Sequence, residues 1–373
     1  VKQNNINFNT PLNNLYKKIK KISSNPFISG NKTIFSNMSD WNPAEMIGTK
    51  PKSLSLSLYK SLITDSIWCL QRKNYGYKNL FPNKLMYNFL GSPYIDLKTD
   101  LNSFLPKDLN KNLSNKIINF CINKLKNNKS LHDKIEFELI ETFYNFDTKK
   151  KLSLFLNKKE IKDYSKKLLK LTNNIVTNRG LLKKDISKIN SLRDNVDIID
   201  SKKISEIQKI YFVHEIAKTY GSLPFAGIAR CAFVATSFLR YFKEQNIITN
   251  FEYQNFFKNL NITKNRKKIN SKKQFLKNYG HMRPSNYSIS TLNYKENYNK
   301  YFGEKLIFRE KLKNRNFYLS AKQKIEINTL LKKYRYNFKT DKLFKFIKES
   351  IYYREKAKID FIYAVDNIFK NLI

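Results

Sequence analysis

Apolar residues recur every three to four positions along most of the chain after residue 109, the spacing that is typical of amphipathic α-helices. The pattern therefore predicts a series of helices joined by short polar connections. The predicted helices span residues 113–127, 131–145, 159–174, 178–195, 202–219, 223–244, 250–261, 271–278, 320–335 and 341–371. Segment 223–244 is the most apolar and contains many small residues, so we expect it to be the central helix of a bundle.

The pattern before residue 109 is mixed. Helical spacing appears at residues 12–22 and 54–72, residues 30–35 indicate a turn into a short strand, and residues 82–106 indicate irregular structure with one or two short strands. The predicted fold class is mainly α, a multi-helix bundle with an irregular N-terminal part in which short strands are expected. Polar residues before two of the periodic runs, Asp108 and Ser201, are the predicted N-caps of the helices that follow.

Composition supports a folded domain. Of the 373 residues, 41% are apolar and 14% aromatic, which is enough for a core and excludes a disordered tail. The net charge of +41 suggests binding to nucleic acid. However, the lysines are spread along the chain together with many Asn, Ile, Tyr and Phe residues, as A/T-rich codons would produce. We therefore expect no nucleic-acid partner and keep two alternatives, a basic helical nucleic-acid-binding protein and a helical scaffold without a ligand.

The cysteines and the ends of the chain bear on its setting. Cys69, Cys121 and Cys231 are too few and too far apart for a disulfide framework or a zinc site, which favours a reducing, cytoplasmic location. No signal peptide is visible at the start of the sequence. No membrane-spanning segment is expected either, because arginines interrupt or bound the most apolar run. The chain begins with Val1 and stops inside an amphipathic run, so we expect a piece of a longer polypeptide.

The clearest candidate for a site is the turn at residues 275–287. It contains His281 and Arg283, with Gly280 expected to end the preceding helix in a left-handed conformation and Tyr279 packed beside it. Imidazole titrates near neutrality and guanidinium binds carboxylate or phosphate bidentately, so this turn is a candidate anion or substrate contact. The structural alternative is a buried helix C-cap whose histidine satisfies a backbone carbonyl.

Other candidates are weaker, and no phosphate-binding glycine loop, zinc motif or nucleophile elbow is present in the sequence. Asp40, Asn42 and Glu45 form one compact group of oxygen ligands that suits Mg²⁺, although they also suit a turn and a helix start. Arg230 lies inside the most apolar helix and needs a partner.

Three further residues could take part in acid–base chemistry or anion binding. His214 and Glu215 are adjacent on a predicted helix, so their side chains are expected to diverge and to make a poor acid–base couple. Arg354 is expected to contact either an anion near the His281 turn or a neighbouring carboxylate at the surface.

Several stretches together resemble the phosphoenolpyruvate synthase and pyruvate phosphate dikinase group of phosphotransferases. DWNPAEMIG at residues 40–48 is similar to a D-W-N-P-A-E-[IM]-I-G segment of synthase-like members, and residues 56–79 resemble the segment that follows it. YGSLPFAGIARCA at 220–232 and YGHMRP at 279–284 are also similar. The last helix resembles an R-E-x-x-K helix through Arg354, Glu355 and Lys358.

The resemblance covers the central region of such an enzyme. It implies that residues 1–52 are the tail of an ATP-grasp-like nucleotide-binding part and residues 53–373 a helical linker and acceptor-binding region. The full enzyme would use ATP and Mg²⁺ and pass phosphate through a phospho-histidine to an acceptor such as pyruvate. The implied partners are the nucleotide-binding and phospho-histidine domains, fused or separate, and a small-molecule acceptor.

Within this region the resemblance implies that the acceptor is bound by His281, Arg283, Tyr279 and Arg230. Asp40, Asn42 and Glu45 would face the nucleotide. The chain departs from the family pattern in two places. Ser285-Asn286 stands in place of Gly-Thr, which weakens the match to the turn, and Asn293-Tyr294 stands in place of Pro-Arg, which argues against an anion contact at residues 293–294.

Overall fold

The computed structural model describes residues 9–39, 41–177, 180–260, 272–303 and 317–373. Its α-helices are α1 (Asn9–Ser23), α2 (Pro43–Ile47), α3 (Ser53–Tyr59), α4 (Ile67–Asn74), α5 (Leu97–Ser103), α6 (Lys111–Asn127), α7 (Thr148–Leu152), α8 (Lys158–Thr177), α9 (Leu181–Asp200), α10 (Glu206–Ile216), α11 (Leu223–Glu244), α12 (Asn250–Asn259), α13 (Lys272–Tyr279), α14 (Tyr298–Phe302), α15 (Ala321–Lys333) and α16 (Thr340–Lys370). Three π-helical segments lie at Lys60–Thr64, Ile135–Leu139 and Ala217–Ser222. The predicted fold class, mainly α, is confirmed.

The core is built around α11, as its sequence predicts. This helix packs most extensively against α16 and then against α9, and α4 lies on another side of it. Small residues allow the close approach, because a Cβ at Gly227 would lie 2.1 Å from a carboxylate oxygen of Asp185 and 2.8 Å from the hydroxyl of Tyr75. The same pair is hydrogen-bonded, with the Tyr75 hydroxyl 2.6 Å from Asp185 Oδ2. A single apolar cluster runs from Ile28 to Phe369 through these helices.

A small antiparallel sheet covers the N-terminal side. Its strands are β1 (Phe35–Ser36), β2 (Met86–Phe89) and β3 (Ser92–Asp96), in the order β1-β3-β2. The β2–β3 turn uses positive φ values at Leu90 and Gly91, as tight hairpin turns require. Short strands were expected in this part of the chain, and they are present.

The sheet also joins the two predicted parts of the chain. β1 lies before the predicted boundary at residue 52 and pairs with β3, which lies after it. The assignment of residues 1–52 to a nucleotide-binding part stays a prediction.

Helix α5 was not predicted. It begins directly after β3, where the side chain of Asp96 accepts hydrogen bonds from the backbone N–H groups of Lys98 and Thr99. This is an N-cap, and a carboxylate three residues before a threonine was the available signal.

Most predicted helices agree with the structure within a few residues, and α11 matches at both ends. The predicted N-caps were wrong by a few positions, since Asn110 caps α6 and Ser205 forms a capping box with Gln208 at α10. Two serines lie before α10, at positions 201 and 205. The side chain of Ser205 reaches the first turn of α10, whereas Ser201 ends α9. The predicted helix ends at residues 178, 261 and 271 lie outside the described residues.

The helix predicted at residues 131–145 is wrong. One π-helical turn, Ile135–Leu139, is followed by irregular chain up to α7. Side chains of other elements satisfy its backbone instead, since Tyr164 donates to the carbonyl of Glu141 (2.8 Å) and Tyr77 to that of Thr142 (2.9 Å). Periodicity indicated a helix, and tertiary hydrogen bonds replaced it.

One continuous helical stretch of 39 residues in the described part of the chain, Glu206–Glu244, contains an 18-residue window with a mean hydropathy of 1.4, which would suit a membrane span. Its apolar window is 61% buried inside the protein. Packing therefore accounts for its apolar character, and a core helix has the same properties.

We expect Gly227→Ala to destabilise the fold, because its methyl group would displace the Tyr75–Asp185 hydrogen bond beneath α11. Overpacking of this kind costs about 1–3 kcal/mol in the free energy of unfolding. Urea denaturation measures the loss. Ala226→Ser, which adds one heavy atom at the adjacent half-buried position, is the control and should change stability by less than about 1 kcal/mol. Equal stability of the two variants would contradict the close packing at Gly227.

Candidate functional site

The turn that carries His281 begins where α13 ends. The N–H of Gly280 donates to the carbonyl of Leu276 (2.8 Å), so the glycine does end the helix. The predicted left-handed conformation at Gly280 is wrong, because its φ lies outside that region. Glycine is required for another reason: a Cβ at Gly280 would lie 2.3 Å from the oxygen of Leu276.

His281 is buried against α16. Its Nε2 lies 3.0 Å from the carbonyl oxygen of Ile359, and because a carbonyl can only accept, Nε2 carries the proton. The ring also meets the ring of Tyr363 edge to face at 5.4 Å. Burial, with a further contribution from the charge of Arg193, lowers the pKa of His281 to about 4. The imidazole is therefore neutral at pH 7.

Arg283 is held by three groups inside the protein. Its Nη2 donates to Asp366 of α16, and its Nη1 donates to the carbonyls of Thr291 (2.9 Å) and Ser288 (3.4 Å). The guanidinium also lies over the ring of Phe369, 5.0 Å from its centroid. These contacts fold residues 283–291 back on themselves and fasten the loop to α16.

Asp366 is the common partner on the helix. Asn293 donates to its Oδ1 (3.2 Å), and the ammonium group of Lys370 lies 3.3 Å from its Oδ2. The side chain of Asp366 is 1% exposed. Sequence reasoning missed this residue, although an acid inside the apolar run of residues 361–369 was a signal for a buried ion pair.

The aromatic residues around the turn pack it, as expected for Tyr279. Tyr279 is buried, and its ring lies 5.6 Å from that of Phe275. Phe275 also contacts Tyr298 and Phe302 of α14. The His281 turn therefore has an apolar side towards α13 and α14 and a polar side towards α16.

A second group of ion pairs, next to the turn, connects α9 with α16. Arg193 Nε lies 2.6 Å from Asp360 Oδ1, and Lys356 Nζ lies 2.5 Å from Asp360 Oδ2. Tyr363 donates to Asp197 and lies under the guanidinium of Arg193 at 4.8 Å. Arg354, in contrast, is exposed and pairs with Glu355 at 3.6 Å on the surface of α16.

Arg230 belongs to a different cluster. Its buried guanidinium pairs with Glu136, and Glu136 also lies 3.7 Å from Arg72. Arg72 lies over the ring of Trp41 at 5.5 Å, and the indole N–H of Trp41 donates to Asp100 (3.1 Å). Burial raises the pKa of Asp100 to about 7. The partner that the sequence required for Arg230 is thus a carboxylate from the irregular segment.

The proposed metal ligands are arranged as a helix cap. Asn42 accepts from the N–H of Glu45 (3.1 Å), and its amide donates to the carboxylate of Glu45. Asp40 lies outside the described residues. Among the described residues no group of three or more His, Cys, Asp or Glu side chains is placed to hold a metal ion. Asn42 and Glu45 therefore hydrogen-bond to each other, and a Mg²⁺ site that includes Asp40 stays a prediction.

Stretches far apart in the chain meet next to the turn. Tyr59 donates to the carbonyl of Trp41, and its ring lies 5.8 Å from that of Tyr287. Ser55 donates to the carbonyl of Tyr287 (2.6 Å), and Lys52 to the hydroxyl of Ser290 (3.2 Å). Trp41, the segment from Lys52 to Tyr59 and the turn after His281 are thus in contact with one another.

No family model, curated protein or solved structure matches the chain.

We expect the His281→Gln variant to lose a pH dependence that the wild type has. The folded-state pKa of about 4 lies below the ordinary 6.5, so between these values the unfolded chain binds more protons. The stabilising effect of the neutral imidazole is therefore complete above pH 6.5 and is lost as the pH falls towards 4. The unfolding free energy of wild type relative to His281→Gln should rise by up to roughly 3 kcal/mol from pH 4 to pH 7. A difference that stays constant in urea denaturation across this range would contradict the burial of His281.

Arg283→Met should cost about 3–5 kcal/mol of stability, because it leaves the buried carboxylate of Asp366 without its guanidinium. Arg354→Met is the matched control, since it removes an arginine from an exposed pair and should cost less than about 1 kcal/mol. Denaturant midpoints of the two variants measure the contrast. Equal losses would mean that the Arg283 pair is not buried.

Proposed function

We propose that this chain is the helical linker and acceptor-binding region of a phosphoenolpyruvate-synthase-like phosphotransferase. The supporting observation is that the stretches carrying the resemblance meet in space. Trp41 and Tyr59 come from two of them, Tyr287 follows a third by three residues, and Tyr59 contacts both Trp41 and Tyr287. α11 and α16, which carry two more, form the largest helix pair.

The contact is informative because the motifs are separated by long stretches of other sequence. Trp41 and Tyr287 lie more than two hundred positions apart, and only folding brings both of them into contact with Tyr59. Motifs that maintain one site must converge, whereas unrelated chance matches have no reason to share hydrogen bonds. The convergence supports one shared role for these stretches.

In this proposal the His281 turn is the acceptor-side element. His281 is a neutral donor at pH 7, and Arg283 holds the loop through Asp366. A carboxylate or phosphate that reached Arg283 would have to replace Asp366 on the guanidinium. Arg230 acts at a distance from the turn by fixing α11 to the irregular segment through Glu136.

ATP and Mg²⁺ belong to the nucleotide-binding part of such an enzyme. Asn42 and Glu45 are hydrogen-bonded to each other, so binding of Mg²⁺ by either side chain would have to replace that contact. Phosphoryl transfer depends mainly on positioning and charge neutralisation. What this region would contribute is the positioning of the acceptor.

The deciding experiment is to read the DNA on both sides of the region that encodes this chain. An ATP-grasp-like stretch before it and a G-G-x-x-S-H segment after it would support the proposal. Stop codons close to both ends would overturn it and leave a stand-alone basic helical protein. Salt-dependent binding to nucleic acid would then be the next measurement.

The isolated chain should show no ATP-dependent transfer of phosphate to pyruvate, because it would lack the phospho-histidine domain. The longer polypeptide from the same locus should show transfer, and Arg283→Met in that polypeptide should lower it. A coupled assay of phosphoenolpyruvate formation measures both. Turnover by the isolated chain would contradict the assignment of this region to a partial role.

A further inference from the structure

Three side chains outside the His281 turn have the geometry of a nucleophile, a base and a positioning group. The hydroxyl of Ser61 lies 2.9 Å from Nε2 of His214, and Nδ1 of the same ring lies 3.4 Å from a carboxylate oxygen of Glu215. Distances of about 2.6–3.2 Å between nucleophile and base, often longer in unliganded proteins, are the signature of an activated serine. The expectation that His214 and Glu215 diverge is therefore wrong.

Two π-helical segments bring these residues together. Ser61 lies in Lys60–Thr64, and His214 and Glu215 lie just before Ala217–Ser222. The hydroxyl of Ser222 donates to the carbonyl of Leu62 (2.6 Å) and fastens one segment to the other. A π-helical turn rotates the residues beyond it away from the α-helical phase, and such turns occur frequently at functional sites. The α-helical spacing of the sequence therefore gave no sign of the contact.

The charges around His214 suit a general base. The carboxylate of Glu215 beside Nδ1 favours a proton on that nitrogen, which leaves Nε2 free to accept from Ser61. Burial, followed by the charge of Lys218, lowers the pKa of His214, so the ring is neutral at pH 7. Lys218 itself is 3.1 Å from Glu215 and fixes the carboxylate.

The site is open to solvent and adjoins an apolar surface. The side chain of His214 is 22% exposed. Ile207 and Tyr211 lie on the same helix, seven and three residues before His214, and are 80% and 62% exposed. Residues with this spacing share one face of a helix. An exposed apolar strip therefore leads along α10 to the imidazole.

We propose that Ser61, His214 and Glu215 form an acyl-transfer site for activated esters with an apolar acyl chain. Ser61 Oγ attacks the ester carbonyl while its proton passes to Nε2 of His214. The alkoxide or phenoxide then leaves and takes that proton, which gives an acyl-serine and an alcohol. Water adds to the acyl-serine with His214 again as base, releasing the carboxylic acid and restoring Ser61. Glu215 is a positioning residue that holds the tautomer of His214.

This proposal is independent of the phosphotransferase proposal, since neither ATP nor the His281 turn takes part. Its test must separate a specific serine from the many lysines, whose amines also react with activated esters. A fluorophosphonate probe does so, because stable labelling marks an activated serine. The probe is incubated with the whole chain, and the labelled peptide is identified by mass spectrometry.

The expected result is one label at Ser61 that is lost in Ser61→Ala and reduced at least tenfold in rate in His214→Asn. Ser57→Ala is the matched control, because Ser57 is an exposed serine one turn earlier. Its hydroxyl oxygen lies 3.0 Å from the carbonyl oxygen of Leu54, as that of Ser61 lies 3.2 Å from the carbonyl oxygen of Leu58. Labelling in this control should equal that of the wild type. No label on the wild type, or equal labelling of Ser61→Ala at another residue, would overturn the proposal.

Hydrolysis of p-nitrophenyl butyrate tests the role of Glu215. Glu215→Gln should lower kcat at least tenfold with little change in KM, and Glu215→Asp should restore part of it, because a carboxylate again faces Nδ1. Circular dichroism confirms that each variant is folded. Equal kcat in wild type, Glu215→Gln and Ser61→Ala would show that the hydrolysis comes from other residues and would also overturn the proposal.

Discussion

The structure depends above all on the burial of Arg230 in its central helix. An ionised guanidinium loses several kcal/mol of hydration when it is buried, and only a well-placed carboxylate compensates. Glu136 is that carboxylate, and it comes from a segment that has the periodicity of a helix. To reach Arg230, this segment makes one π-helical turn and then leaves helical geometry. Its freed backbone groups are taken by the hydroxyls of Tyr77 and Tyr164.

The same logic applies at the other end of the core. Asp366 is buried on α16 and requires a cation, which Arg283 supplies from the loop after His281. The loop is thereby fixed, and His281 is brought under the carbonyl of Ile359. The segment that carries Glu136 and the loop that carries Arg283 are thus each held by an ion pair with a helix. Apolar packing sets the helices side by side, and these ion pairs decide how the connecting chain runs.

Local patterns therefore predicted the helices better than the contacts between them. The ends of α11 follow from a dense apolar run, and the course of α16 follows from a long period of apolar residues, so both were predicted from sequence. The failure at residues 131–145 has a different cause, because the partner of Glu136 lies ninety-four positions away. Ser61 and His214 could not be paired either, since their contact needs the phase shift of two π-helical segments. The turn after Gly280 was predicted, and its histidine is buried against a backbone carbonyl, as the structural alternative held. The residue that fixes the turn, Asp366, was missed.

The charge of the chain has a consequence for any search for partners. Several of the few acids are buried, among them Asp96, Asp100, Asp360 and Asp366, while most lysines lie at the surface. The composition has 71 basic and 30 acidic residues. Because some of the acids are buried, the surface is at least as basic as this ratio. Repulsion among surface lysines opposes the compact state, and salt screens it, so added salt should stabilise the fold. Salt weakens binding to a polyanion at the same time. If nucleic-acid binding is lost at high salt, the loss can therefore be assigned to the electrostatics of the interface. Unfolding cannot explain it, because added salt should make the fold more stable.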